Sequence, residues 1–432
     1  MIDNLIQLLP IHSPYHVFLI SITGFLLAVW WWINQPLNRV RNLEDVGFEA
    51  ATGRDKAAVV RRLQKARKIG QMPPVYPNGW FAVGESRDVK PGDVKPIAAL
   101  GQNLVLFRSR ETQKVHVLDA YCLHMGAHLG HGGFIFNDHC IQCPFHGWCF
   151  DGVTGKIVGI PYSDQRPPSE STAKLRTWIV DEVNAHIYIW YHCDGIQPTW
   201  SIPIIPEIQN GSWKYGGRTE HTVSCHIEEI PENGSDMTHL NFLHMPLAVQ
   251  SKELSKLPLH EGTSLRHTWE ASWAPEKAVG KEHIGVMRLK TTLNLFGVNI
   301  PPVVTVAAQQ IGPGIVYLYL DLGKLGKASY LHHLTPMEPL LQKVLHQVWG
   351  DKHLPVFLLK WIMYVEALQF ERDIMVWNHK LFKKSPMLMK EDKAIAQHRK
   401  WYSQFYSENS PRLHESAILK TANSGGDCND TM

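Results

Sequence analysis

The chain has 432 residues, 43 Lys and Arg against 40 Asp and Glu, a formal net charge of +3 and 24 histidines. That length holds a substantial core, sufficient for two domains with appendages, and the near-balanced charge indicates no nucleic-acid role. The seven cysteines lack the spacing of a disulfide scaffold, so a reducing compartment is expected.

No formal charge interrupts Tyr15 to Ile33 (YHVFLISITGFLLAVWWWI). About 19 residues at about 1.5 Å each span roughly 28 Å, close to a bilayer core. The Trp30-Trp31-Trp32 cluster sits at one end, where amphipathic rings favour an interface. A cleaved signal peptide would carry a basic leading region and small residues at its end. Asp3 is the lone charge before this segment, and tryptophans fill its end. Residues 1–34 are therefore expected to be an uncleaved anchor. The basic flank Arg39, Arg41, Arg54, Lys56, Arg61 and Arg62 places the bulk of the chain in the cytosol by the positive-inside rule. The endoplasmic reticulum is the membrane expected, although no address motif names it.

Residues 35–77 read as a basic linker. Within it, Glu49 to Lys68 has Ala57, Val60, Leu63 and Ala66 at helical spacing, which suits either a membrane-surface helix or a solvated one. A proline-rich turn at 71–77 ends it.

From 78 to 195 short β-runs divided by turns predict a small β-domain: WFAVG, NLVLFRS, VHVLDAYC, and a closing pair, LRTWIV and HIYIWY. It carries Cys122-Leu-His124 and Cys143-Pro-Phe-His146. Two thiolates and two imidazoles on paired loops are the ligand set of a Rieske [2Fe–2S] cluster, in which histidines replace cysteines on one iron. The rival is a Cys2His2 zinc site. The flanks favour the cluster: Gly126, Gly130 and Gly147 would admit close backbone approach, and Trp148 would cover it. High-potential Rieske proteins add a disulfide between these loops. Ala127 and Phe145 stand at those positions, so the lower part of the range of roughly −150 to +300 mV is expected. Cys140 and Cys149 read as buried free thiols, and His128 and His131 as packing or hydrogen-bonding residues.

Residues 196–413 form the second domain. β-runs continue to about 340, and Met337 to Leu381 has a helical pattern. Between strands lies Asn233-Gly-Ser-Asp236-Met-Thr-His239-Leu-Asn-Phe-Leu-His244. Two close histidines and a distant carboxylate suit a 2-His-1-carboxylate iron with open coordination positions. Five residues turn about 140° on an ideal helix, so both histidines reach one metal only if the helix distorts or ends before Pro246. Asp236 reads as a partner for a histidine N–H rather than a ligand. Glu366, Glu371 and Asp373 are the carboxylates on offer for the third position. Glu366 and Asp373 share a helix face and Glu371 points elsewhere. The tail, 414–432, is expected to be disordered.

At these motifs the chain resembles Rieske non-haem iron oxygenases over most of residues 78 to 400. The anchor, the Cys122-Leu-His-Met-Gly-Ala-His128 stretch and the segment Gln369-Phe-Glu-Arg-Asp373-x-x-x-Trp377 are similar to the Neverland-type cholesterol 7-desaturases of animals. The resemblance implies an α+β fold: a transmembrane helix, a Rieske β-domain and a helix-grip (START-like) catalytic domain. It implies Cys122, His124, Cys143 and His146 on the cluster, and His239, His244 and Asp373 on a mononuclear Fe(II). Asp236 would carry electrons from a neighbouring subunit's cluster to His239 in a head-to-tail homotrimer, and Asn233 would lie beside the iron. The implied reaction removes hydrogens from C7 and C8 of cholesterol with O2 and NAD(P)H, giving 7-dehydrocholesterol for steroid hormone synthesis. The chain has no dinucleotide or flavin fingerprint, so a separate reductase is expected. The stretches 293–306 and 354–364 are candidates to line an apolar sterol pocket. The alternatives are a sterol or steroid hydroxylase with the same metal residues, a chlorophyll-pathway oxygenase, whose hydrophobic region is C-terminal, and a tethered Rieske electron carrier without catalytic iron.

Overall fold

The uncharged N-terminal stretch forms helix α1 (Pro14–Asn34), followed by strand β1 (Leu37–Arg41) and helix α2 (Lys56–Ala66). The structure, a computed structural model, describes residues 14–48, 53–163, 173–246, 250, 254–257 and 265–413. The tail expected at 414–432 and the first residues of the expected helix Glu49–Lys68 lie outside them. The stretch read as a linker is structured. β1 pairs in parallel with the strand at Trp213–Val223, in an eight-stranded sheet, and α2 buries Val60 while leaving Leu63 exposed.

Ten short strands follow: β2 (Gly79–Glu85), β3 (Val94–Ala99), β4 (Gln102–Arg108), β5 (Val115–Asp119), β6 (Phe134–Phe136), β7 (Cys140–Gln142), β8 (Cys149–Asp151), β9 (Ile157–Gly159), β10 (Val180–Val183) and β11 (His186–Tyr191). They form three antiparallel sheets ordered β10-β11-β2, β3-β4-β5 and β6-β7-β8-β9. Of the expected run LRTWIV only Val180 enters a strand.

Beyond them come α3 (Pro206–Gln209), β12 (Trp213–Val223), α4 (Glu229–Glu232), α5 (Met237–Leu243), β13 (Leu265–Pro275), β14 (Ile284–Leu295), β15 (Val298–Ile311), β16 (Ile315–Asp321), β17 (Lys327–Glu338), β18 (Leu341–Asp351), α6 (Val356–Trp377) and α7 (Lys393–Tyr402). One eight-stranded sheet, ordered β1-β12-β18-β17-β16-β15-β14-β13, carries α6 on one face.

The helical pattern expected from Met337 begins only at Val356. Leu341, Val344, Leu345 and Val348 recur at helical spacing, yet they form β18, between β12 and β17. Val344 to Val348 are all buried, so no polar alternation marks the strand.

From Ala367 to Met375 every residue of α6 is buried, including Gln369, Glu371, Arg372 and Asp373. Buried polar groups must be paired, and each of these fixes the helix to another element. Glu371 accepts from Arg39 Nη2 at 2.7 Å and pairs with Arg41 Nε at 3.2 Å and His221 Nε2 at 3.5 Å. Burial alone would raise this carboxyl; His221 and Arg39 hold it at about 2. Arg372 donates to the carbonyls of Leu243 and Pro246, at 3.2 and 2.7 Å. At the helix C-terminus Arg67 Nη1 donates to the carbonyls of Trp377 and Asn378 at 3.1 and 2.8 Å, which satisfies groups the helix leaves open. Gly216 lets α6 close on the sheet, since a Cβ there would stand 2.5 Å from Leu359 Cβ.

The acidic run before the second histidine motif is also buried. Arg399 bridges Glu232, and Lys380 lies 3.3 Å from Glu229. Glu228 is pushed up to about 8 by burial, with the Glu232 charge adding. The folded state therefore holds a proton that the unfolded state releases from its ordinary value of 4.5 upward. This contribution to stability is complete below about pH 4.5 and is lost as pH rises through about 8. Glu228→Gln should lessen the fall in melting temperature between about pH 5 and pH 8. Equal slopes for both proteins would contradict the assignment.

Candidate metal centres and an apolar cavity

The two cysteine loops close in the same way. Gly126 N–H donates to the Cys122 carbonyl at 2.9 Å, and Gly147 N–H to the Cys143 carbonyl at 3.1 Å. Cys122 N–H donates to Ala127 at 2.9 Å and Cys143 N–H to Trp148 at 2.8 Å. Both turns need the left-handed conformation, with φ of +70° at Gly126 and +75° at Gly147. Gly130 has another purpose: a Cβ there would stand 2.8 Å from Pro96 Cα, so it packs the loop on β3.

These turns bring all four predicted residues together. Cys122 and Cys143 are buried, and the His124 and His146 rings lie 4.6 Å apart at their half-exposed edge. Trp148 stacks on His124 at 4.9 Å, and its Nε1–H donates to Tyr162 at 2.8 Å. His124 Nδ1 is buried with no hydrogen-bond partner. Burial pushes the Cys122 thiol up to about 11, with the adjacent Cys143 thiol adding. A buried pair of thiols beside an unpartnered imidazole nitrogen fits a cationic iron–sulfur group that stabilises thiolates and accepts ring lone pairs. Cys140 and Cys149 are buried free thiols. His128 packs on His131 and Tyr121 and accepts from Gly130 N–H.

The second centre depends on a helix ending. α5 stops at Leu243, and His244 leaves the helical path with φ −102° and ψ 3°. That break brings the two imidazoles within 5.1 Å of each other. Asp373 meets them from α6: its Oδ1 lies 3.1 Å from His244 Nε2 and 4.0 Å from His239 Nε2. Ligand atoms of His239, His244 and Asp373 all lie within 4.8 Å of one another. Glu371 is turned away, toward Arg39.

The far ring nitrogens set the tautomers. His244 Nδ1–H donates to Gln369 Oε1 at 2.8 Å, and His239 Nδ1–H to the Asp236 carbonyl at 2.5 Å. Both Nε2 atoms then face Asp373, and a metal held between them would take the place of the proton that His244 Nε2 shares with the Asp373 carboxylate. Burial would lower the His244 pKa, but Asp373 outweighs it and raises it, so positive charge is favoured between them. Asp236 differs from its expected part. Its carboxylate caps α5 by accepting the His239 main-chain N–H at 3.2 Å and stands 3.9 Å from the ring. The residue that sequence reasoning missed is Gln369. It also accepts from Arg372 Nη1 at 2.8 Å and donates to Pro246 at 3.2 Å. Its four-residue spacing from Asp373 was the available signal.

A cavity of about 470 Å³ adjoins this centre. Alternate residues of the sheet line it, as the pleat dictates. Met287, Ala308, Leu318 and Tyr330 form one row across β14 to β17. Asn233, His239, His244, Gln369 and Asp373 form the metal end. Of the two stretches expected to line a pocket, Leu293 and Val306 of the first do so, with Trp361 and Ile362 of the second. Gln369→Leu should lower iron affinity about 10- to 100-fold while leaving the signal of the sulfur-bound irons intact. Iron analysis with electron paramagnetic resonance checks this, and unchanged occupancy of the second site would contradict it.

Residues 79–179 match the Rieske [2Fe-2S] domain family, and residues 189–406 match the 3-ketosteroid 9alpha-hydroxylase C-terminal domain family. A cholesterol 7-desaturase of Xenopus laevis is 44% identical over 402 residues, covering 93% of this chain and 87% of the relative. A cholesterol 7-desaturase of Caenorhabditis elegans is 44% identical over 393 residues, covering 89% and 90%. The solved structure of Pseudomonas putida CBB5 NdmA with caffeine aligns with a TM-score of 0.57 at 17% identity, covering 77% of this chain and 94% of that one, which shows a shared fold. Two matched domains in this order, and relatives this similar over nearly their whole length, mean that the chain belongs to the cholesterol 7-desaturase family of Rieske oxygenases.

Proposed function

We propose that this protein is a cholesterol 7-desaturase, removing hydrogens from C7 and C8 to give 7-dehydrocholesterol. The observation that carries the reading is the apolar cavity ending on the His239, His244 and Asp373 cluster in a chain of this family. The overall change consumes cholesterol, O2 and NAD(P)H with one proton. It yields 7-dehydrocholesterol, NAD(P)+ and two waters.

Cys122, His124, Cys143 and His146 would hold the Rieske cluster, and His239, His244 and Asp373 the mononuclear iron. Bound there, these groups supply one-electron storage and dioxygen activation. The chain's own residues set the conditions. Gln369 and the Asp236 carbonyl hold both imidazoles in one tautomer. Asn233 faces the cavity beside them. Leu289, Val306, Leu318 and Leu320 surround the substrate with apolar surface, which excludes water and holds the sterol in one orientation. A fixed orientation lets one of two outcomes win, loss of the second hydrogen or hydroxylation.

Electrons come from a separate reductase, since no nucleotide or flavin motif is present in the sequence. Leu123, Met125 and Phe145 are exposed around the cluster histidines, an apolar rim suited to a docking partner. The Asp236 side chain is 30% exposed. These features support electron passage from one subunit's cluster through Asp236 to a neighbour's His239 in a homotrimer.

The protein is read as single-pass, with its bulk in the cytosol, on the endoplasmic reticulum. α1 is long and apolar enough to cross a membrane, and among the described residues its apolar surface is left uncovered apart from the contact at Trp32. Arg39 and Arg41 are engaged by Glu371, which leaves Arg54, Arg61 and Arg62 exposed as the basic flank. Lys360 of α6 donates to the Trp32 carbonyl at 3.2 Å and lies 4.6 Å over the Trp32 ring. Beside it, Trp361 is half exposed and also lines the cavity. The cavity mouth therefore adjoins the end of α1, a direct route for a sterol leaving the bilayer.

Expression in sterol-containing cells that lack this activity should produce 7-dehydrocholesterol by mass spectrometry. His239→Ala and Cys122→Ala should each abolish it, and an oxygenated sterol instead would make the protein a hydroxylase. Co-expressing the two inactive variants should restore part of the activity; no restoration would contradict transfer between subunits. Deleting residues 1–34 should release the protein from membranes and slow turnover of vesicle-borne cholesterol more than of cyclodextrin-delivered cholesterol. Equal slowing would contradict entry from the bilayer.

A further inference from the structure

Two carboxylates line the cavity among the described residues, Asp373 and Glu366. Asp373 is accounted for by the metal centre. Glu366 makes no hydrogen bond or ion pair with any described residue, although it sits in a predominantly apolar cavity. Such a group is costly unless something binds it. It lies seven residues before Asp373 on the same helix, about 10 Å along the axis, toward the Trp361 mouth. Across the cavity, on β17, the Tyr330 hydroxyl is buried with no hydrogen-bond partner. Thr291 on β14 has a second unpartnered hydroxyl and also lines the cavity. The unpaired hydrogen-bonding capacity at this level therefore sits among otherwise apolar walls, away from the metal ligands.

A sterol has one polar atom, its 3-hydroxyl, which both donates and accepts. Burial raises the Glu366 carboxyl, and Asp373 adds to this while His244 opposes it; a protonated carboxyl can also both donate and accept. The two-turn separation from Asp373 leaves room for the hydroxyl-bearing ring and the next ring, where the two hydrogens are removed. The other polar wall residues fit this part less well. Gln310 accepts from His398 at 3.0 Å, with its Nε2 left unpartnered; the His332 and His346 rings, whose Nε2 atoms are also unpartnered, pack on each other at 4.0 Å, and His346 packs on Phe370, at the level of α6 nearest the metal end.

We propose that Glu366, with Tyr330, binds the 3-hydroxyl of the sterol and so sets which carbons face the metal centre. This rests on the sterol reading above. Glu366 is a positioning and specificity-determining residue, distinct from the metal ligands.

The test uses the full-length enzyme with its reductase and compares cholesterol with cholest-5-ene, which lacks the hydroxyl. The native enzyme should favour cholesterol at least about tenfold in kcat/KM, as expected for a buried hydroxyl contact. Glu366→Leu should bring that ratio close to one, chiefly through KM for cholesterol, with iron content unchanged. Glu366→Gln, which can still donate and accept, should keep most of the preference, and Tyr330→Phe should lose part of it. A preference that survives Glu366→Leu would overturn the proposal. So would loss of iron with equal slowing on both substrates, which would make Glu366 a support for the metal. Failure of the native enzyme to turn over either sterol would instead sink the sterol reading, and the anchor with it.

Discussion

The oxygen-activating centre depends on one contact between residues 129 positions apart, His244 against Asp373. Neither partner is stable there alone. Asp373 is a buried carboxylate in the stretch of α6, Ala367 to Met375, that is buried throughout, and His244 sits past the broken end of α5. Their meeting fixes the distance between α5 and α6 and hence one end of the cavity. Gln369 and Arg372 reinforce it by tying α6 to the chain around Leu243 and Pro246. A metal with two imidazole ligands and one carboxylate ligand would strengthen the same junction, so assembly of the centre and consolidation of this part of the fold are one event.

The structure places charged groups where they are expensive and compensates those that hold α6 and α4 in place. Glu371 faces Arg39, Arg41 and His221; Glu232 faces Arg399. Removing one partner of such a pair leaves an uncompensated buried charge, at a cost of about 3–5 kcal/mol. In the cavity, whose wall is mainly aliphatic, Glu366 is the lining carboxyl without a partner among the described residues, and the unpartnered Tyr330 hydroxyl faces the same space. The Rieske half follows the same logic. Two glycine turns present buried thiols on one side and half-exposed imidazoles on the other, so the surface open to a partner is the histidine edge, rimmed by Leu123, Met125 and Phe145.

The parts legible in the sequence were those whose chemistry is local. The cysteine loops, the paired histidines and the apolar N-terminal helix each reside in a short stretch. The need for a helix break between His239 and His244 followed from helical geometry, and α5 ends at Leu243. What remained illegible depended on partners far along the chain. β18 looked helical because a strand buried on both faces shows no alternation, and its identity is set by β12 and β17. The β1 strand was hidden in a basic segment whose arginines are committed to Glu371. Gln369 had no visible purpose until α6 was placed against His244. Asp236 reads from sequence as a partner for a histidine N–H; its carboxylate accepts the His239 main-chain N–H and its carbonyl accepts the ring N–H, a division that spacing does not reveal.

We propose that one chain holds two kinds of iron site, with Asp373 belonging to the second alone. Mössbauer spectroscopy of the purified, iron-loaded protein beside Asp373→Ala tests this most directly. The intact protein should show a sulfur-bound cluster pair and a separate high-spin ferrous component. Only the ferrous component should disappear in the variant. Cluster iron alone in the intact protein, or an unchanged ferrous component in Asp373→Ala, would contradict it.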